Sequence, residues 1–87
     1  MKKKLFKNKK GELHFGANAP DGFTQTDKKH LKEVLAELVG KKLWRCNVCN
    51  DLHIGIRPPK ECPTCHTIEA FVEINEKEFL TVLNTLI

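Results

Sequence analysis

At 87 residues and 10.0 kDa the chain has room for one domain, and with 40% hydrophobic and 30% charged residues it has the composition of an ordinary soluble protein, neither disordered nor membrane-spanning. The formal charge of +4 is unevenly spread: six of the 15 basic residues fall within residues 1–10, with no acid, so the remainder carries nine bases against eleven acids. A basic end of this kind is most simply a solvated tail, and nothing downstream supplies the second basic patch or exposed aromatic row of a nucleic-acid site.

The opening Met1-Lys-Lys-Lys has the basic region of an export signal, but only Leu5 and Phe6 follow as apolar residues. No secretion signal is read there, and a cytoplasmic location is expected. Residues 1–10 are either this basic tail or the first arm of a hairpin. Leu5-Phe6 and Leu13-His14-Phe15 flank the polar turn Asn8-Lys9-Lys10-Gly11, and Leu13 and Phe15 alternate with His14 as in a half-buried strand. Pro20-Asp21-Gly22 is a turn signal; the rest of 16–26 carries no readable motif.

A helix is expected over 24–40. Leu31, Val34, Leu35 and Leu38 lie on one stripe, Thr24 or Thr26 can cap it, and Gly40 can close it. His30 falls near its polar side as a surface residue. Residues 43–74 hold the cysteines, with Leu43-Trp44-Arg45 and Ile68 to Ile74 expected to pair as antiparallel strands. A second helix over 75–87 places Phe79, Val82, Leu83 and Leu86 on one face. Asn75 with Glu78 makes its capping box, and Ile74 can staple onto Phe79.

Cys46, Cys49, Cys62 and Cys65 form two Cys-x-x-Cys pairs separated by 12 residues. Two knuckles at this spacing direct four thiolates at one tetrahedral centre, a geometry that both zinc and iron accept. Disulfides would need an oxidising compartment, and a single redox pair would not need the second. Four cysteines already complete the coordination number. His53 and His66, which lie in the same segment, are therefore expected beside the site or at the surface. With no position open for water, metal-assisted hydrolysis is disfavoured.

Trp44 and Arg45 before Cys46-Asn47-Val48-Cys49, His53-Ile54-Gly55 after it, Cys62-Pro63-Thr64-Cys65 and Ala70-Phe71 together resemble the rubredoxin domain, most closely the short version found in rubrerythrins. The resemblance implies one iron ion held by Cys46, Cys49, Cys62 and Cys65 and cycling between Fe3+ and Fe2+. It further implies that Cys49 and Cys65 lie nearer the surface and offer the electron route. Three positions depart from the family. Asn50 and His66 stand where glycine is usual, although both residue types tolerate positive φ. Asp51 stands where tyrosine is usual, and an acid beside the site lowers its potential or favours redox-inert Zn2+. Trp44 is expected chiefly to cover the small core of the ribbon. No Glu-x-x-His of a diiron helix bundle occurs in the sequence.

The expectation is thus a single small α+β domain over 1–87: a rubredoxin-like, zinc-ribbon-type metal-bound β core with two flanking helices. Its expected work is one-electron transfer between redox proteins through an Fe(Cys)4 centre, with no substrate turnover of its own. The alternatives are a zinc-ribbon binding module with structural Zn2+, or a docking subunit of a larger redox enzyme.

Overall fold

The computed structural model describes residues 3–27 and 40–86. Its first two strands, β1 (Lys4–Lys7) and β2 (Leu13–Gly16), pair as an antiparallel hairpin with Leu5 opposite Phe15 and Phe6 opposite His14. The turn between them is held by Asn8: its side-chain oxygen accepts from the Lys10 and Glu12 amides, and Gly11 supplies a positive φ of 79°. The basic end is therefore not a free tail, because Lys4 to Lys7 is a strand inside a sheet.

Strands β3 (Thr24–Gln25), β4 (Lys42–Cys46), β5 (Leu52–Gly55) and β6 (Phe71–Ile74) complete one antiparallel sheet in the order β3-β1-β2-β5-β4-β6. The expected pairing of Leu43-Trp44-Arg45 with the segment ending at Ile74 is found as β4 against β6. The N-terminal hairpin continues the cysteine ribbon edge to edge, Leu13 facing Ile54 and His14 facing His53.

Among the described residues there is one helix, α1 (Glu76–Leu86), so the expectation of two flanking helices is not supported there. Thr24 and Gln25, expected to open a helix, pair instead with Lys7 and Phe6, and the Thr26 amide donates to the Leu5 carbonyl at 2.9 Å. The edge of β1 away from β2 claims this short extended stretch as a strand. Residues 28–39, with His30 and the apolar stripe from Leu31 to Leu38, lie outside the described residues.

Helix α1 starts as its sequence dictates. The Glu78 amide donates to Asn75 Oδ1 at 2.8 Å, and Glu76 and Glu78 sit at the positive end of the helix dipole. Phe79 and Leu83 then bury against Leu5, Leu13, Phe15, Leu43, Leu52 and Ile54, with Ile74 and Val82 packed alongside. All six of these strand residues lie on one face of the sheet. The opposite face carries, in register, Phe6, His14, His53 and Trp44. The alternation of Leu13, His14 and Phe15 is thus real, but His14 is fully buried because the second face is covered too.

Candidate metal centre

Each cysteine pair occupies a tight knuckle. In the first, the Cys46 amide donates to the Asp51 carbonyl at 2.8 Å and the Asn50 amide to the Cys46 carbonyl at 3.1 Å. In the second, the Cys62 amide donates to the Thr67 carbonyl at 3.0 Å and the His66 amide to the Cys62 carbonyl at 2.8 Å. Both turns close on a left-handed residue, Asn50 at φ 65° and His66 at φ 62°. The two positions where glycine is usual keep glycine's conformation with residue types that tolerate it. An Asn47 amide bond to the Ala70 carbonyl at 2.7 Å and a Glu61–Ile68 bridge lash the knuckles to the neighbouring chain.

The four Sγ atoms converge, all within 4.8 Å of one another. Cys46 Sγ lies 3.6 Å from Cys65 Sγ, and Cys49 Sγ lies 3.5 Å from Cys62 Sγ. A tetrahedron with metal–sulfur bonds of about 2.3 Å has sulfur–sulfur edges of about 3.8 Å, so one ion fits with little movement. Cys46 and Cys62 are buried, whereas Cys49 and Cys65 are half-buried, as the resemblance implied. Burial pushes the Cys62 thiol up to about 11 and the Cys49 thiol upward as well, while the Thr67 hydroxyl and amide hold Cys65 down to about 6. Sulfurs gathered where burial opposes their charge fit a bound cation, which stabilises thiolate.

Sequence reasoning missed what lies behind the sulfurs. Asp51 is fully buried. One of its oxygens pairs with Lys3 Nζ. The other lies 3.0 Å from His14 Nε2, accepts from Thr64 Oγ1 at 2.6 Å and sits 3.7 Å from Cys62 Sγ. Burial alone would raise this carboxyl; the hydrogen bonds from His14, Lys3 and Thr64 instead bring it to about 2. The acid expected to lower the potential of the site or favour Zn2+ is thus paired with a lysine from the supposed tail.

The segment without a readable motif also serves this region. A Cβ on Gly16 would stand 2.2 Å from Asp51 Oδ2, so only glycine lets the carboxylate pass. The Asn18 amide donates to Thr64 Oγ1 at 3.2 Å, and the Phe23 ring lies 5.8 Å from that of His53. A glycine directly after an alternating strand was the one available signal of close approach. Trp44 is half-buried beside the sulfurs, donating from Nε1 to the Gly55 carbonyl at 3.1 Å. His53 is buried behind the site, and His66 is exposed and bonded to Glu61 at 2.8 Å; neither joins the sulfur cluster.

Residues 44–71 match the family described as "Rubrerythrin, rubredoxin-like domain". A Methanocaldococcus jannaschii protein named "Putative rubrerythrin" is 36% identical over 56 residues, which is 60% of this chain and 28% of that protein. The chain therefore corresponds to under a third of that relative's length. No solved structure gave a match. Residues 44–71 are thus a rubredoxin-like domain of the rubrerythrin type, in a sequence that contains no Glu-x-x-His of the diiron bundle.

Proposed function

We propose that this protein is a one-electron carrier whose iron is held by Cys46, Cys49, Cys62 and Cys65. The observation that carries the reading is the convergence of four thiols at tetrahedral spacing within a rubredoxin-like match. When bound, the iron supplies a reversible ferric–ferrous couple. The chain supplies the rest. The knuckles hold the four sulfurs in a cage that leaves no position on a bound ion open for substrate, which supports a carrier without turnover of its own. Half-buried Cys49 and Cys65 offer the way out for the electron, next to Val48, which is 62% exposed and gives a redox partner protein an apolar place to dock. Lys3 offsets the charge of Asp51, so the site can accept a further negative charge without an unpaired carboxylate beside it.

A structural Zn2+ site in a docking module would use the same four sulfurs. The test is the protein made in iron-replete cells. The carrier reading expects near-stoichiometric iron and visible absorption that dithionite bleaches and air restores. Colourless protein holding zinc under every growth condition would reject it.

A further inference from the structure

The carrier reading leaves one buried feature unused, the histidine pair behind Asp51. β2 and β5 set His14 opposite His53 on the sheet face turned away from α1, with Nδ1 of each 3.0 Å apart. The far nitrogen of His14 bonds to Asp51 Oδ2, which is itself 3.7 Å from Cys62 Sγ. The other end of the row reaches the surface. His53 lines a cleft of about 140 Å³ whose walls include Glu12, Phe23 and Arg57. Gly55 keeps that end open: a Cβ there would stand 3.2 Å from His53 Nε2 and 2.6 Å from Glu12 Oε2.

Proton counting fixes the state of the row. Asp51 already meets Lys3 Nζ and accepts from Thr64 Oγ1, so it is the acceptor toward His14, whose Nε2 carries a hydrogen. The Nδ1–Nδ1 contact holds one proton between two nitrogens. With both rings neutral, that proton belongs to His53, because His14 has already spent its single N–H on Asp51. His53 Nε2 is then the bare nitrogen, and it is the residue at the cleft. A proton arriving there makes His53 doubly protonated, and passing its Nδ1 proton across the 3.0 Å contact moves the charge to His14. The two ends are unequal. Burial, and then the charge of His14, lower His53 to about 3, whereas a cationic His14 lies directly against a carboxylate. Among the described residues, the charged and titratable groups around the pair are Asp51, Lys3, Cys62, Glu12 and Arg57; Phe6, Phe23, Trp44 and Phe71 also stand beside it and do not titrate.

We infer that His53 and His14, the latter anchored on Asp51, form a proton relay, through which one-electron reduction of the four-thiolate site is accompanied by uptake of one proton from water at the Glu12–Arg57 cleft. This rests on the proposed function. The electron comes from a one-electron donor protein and stays on the metal. The proton comes from water, enters at His53 Nε2 and resides on His14. No bond to sulfur forms or breaks. The driving force is electrostatic: reduction adds one negative charge to the site, and an imidazolium on Asp51 compensates it inside a dry core.

The iron-loaded full chain tests this by potentiometric titration between pH 5 and 9. The midpoint potential is expected to fall by about 59 mV per pH unit wherever the pair is neutral in the oxidised protein and charged in the reduced one. His14→Gln should give a flat profile while keeping the visible bands that report an intact centre. A flat profile in the unaltered protein, or a slope retained in that variant, overturns the relay. A second measurement needs neither the variant nor iron. The chain is loaded with Ga3+ or Zn2+, which give the four thiolates the net charges of the oxidised and reduced centre. Imidazole 15N resonances should then show His14 binding its proton at least tenfold more tightly in the zinc protein. Equal affinities overturn the relay. A chain that never holds iron would end the carrier reading while this comparison still decides whether the row senses the charge of the site.

Discussion

At Asp51 a carboxylate sits where no solvent reaches it, and such a group persists only when its lone pairs are filled and its charge is met. Lys3, His14 and Thr64 do both. Replacing Lys3 by Met removes the ammonium and leaves the carboxylate partly uncompensated. The zinc-loaded variant is expected to lose about 3 kcal/mol of stability. Urea unfolding measures it, and an unchanged midpoint would show that Lys3 is an ornament of the surface. Gly16→Ala drives a methyl into the same carboxylate and is expected to cost about 2 kcal/mol, with Asp51 displaced from His14. Full stability in the Gly16→Ala variant would mean that the carboxylate moves freely. His53 gives the pH dependence. Its folded value, lowered from 6.5 to about 3, lies below that of the unfolded chain. The unfolded chain therefore binds the extra proton, and stability is lost as pH falls from about 6.5 toward 3, at up to about 1.4 kcal/mol per unit. Asp51, lowered from 3.8 to about 2, adds a second loss below about pH 4. Urea midpoints at pH 7 and pH 5.5 check the first window. The drop should shrink in His53→Gln; an equal drop in both proteins assigns it to other groups.

At the scale of elements, one sheet serves two unlike faces. The α1 side is a hydrocarbon core, and Phe79, 1% exposed, is its keystone. Phe79→Ala is expected to cost about 3–5 kcal/mol in chemical unfolding, since the helix is anchored there and at Leu83; a loss under about 1 kcal/mol would show that the helix merely lies on the sheet. Local sequence foretold the elements better than their neighbours. The Asn8–Gly11 turn, the alternation about His14 and the Asn75 cap each act within a few residues, so hairpin and helix were readable. Period-2 alternation says that a strand has two faces, not that both are covered, which is why alternation alone leaves His14 on a half-buried strand's polar side. Thr24 and Gln25 contain too little pattern to announce a strand, and they form one only because β1 offers an edge. The cysteine spacing was readable because coordination chemistry fixes it over a distance of 12 residues. Lys3 was not, because one lysine in a run of lysines has no signature until Asp51 is placed beside it.

Over the whole molecule, the two ends of the buried polar row explain why an N-terminal hairpin is joined to a cysteine ribbon. Lys3 and His14 from the hairpin meet Asp51, Thr64 and Cys62 from the knuckles, so the sulfur cage and the first strands stabilise each other. Everything in this arrangement depends on four sulfurs enclosing one ion. X-ray absorption at the metal edge of the purified protein tests that most directly. A single shell of four sulfur scatterers at about 2.3 Å is expected, with no nitrogen or oxygen in the shell. A mixed shell, with an imidazole or water in place of one sulfur, would contradict it.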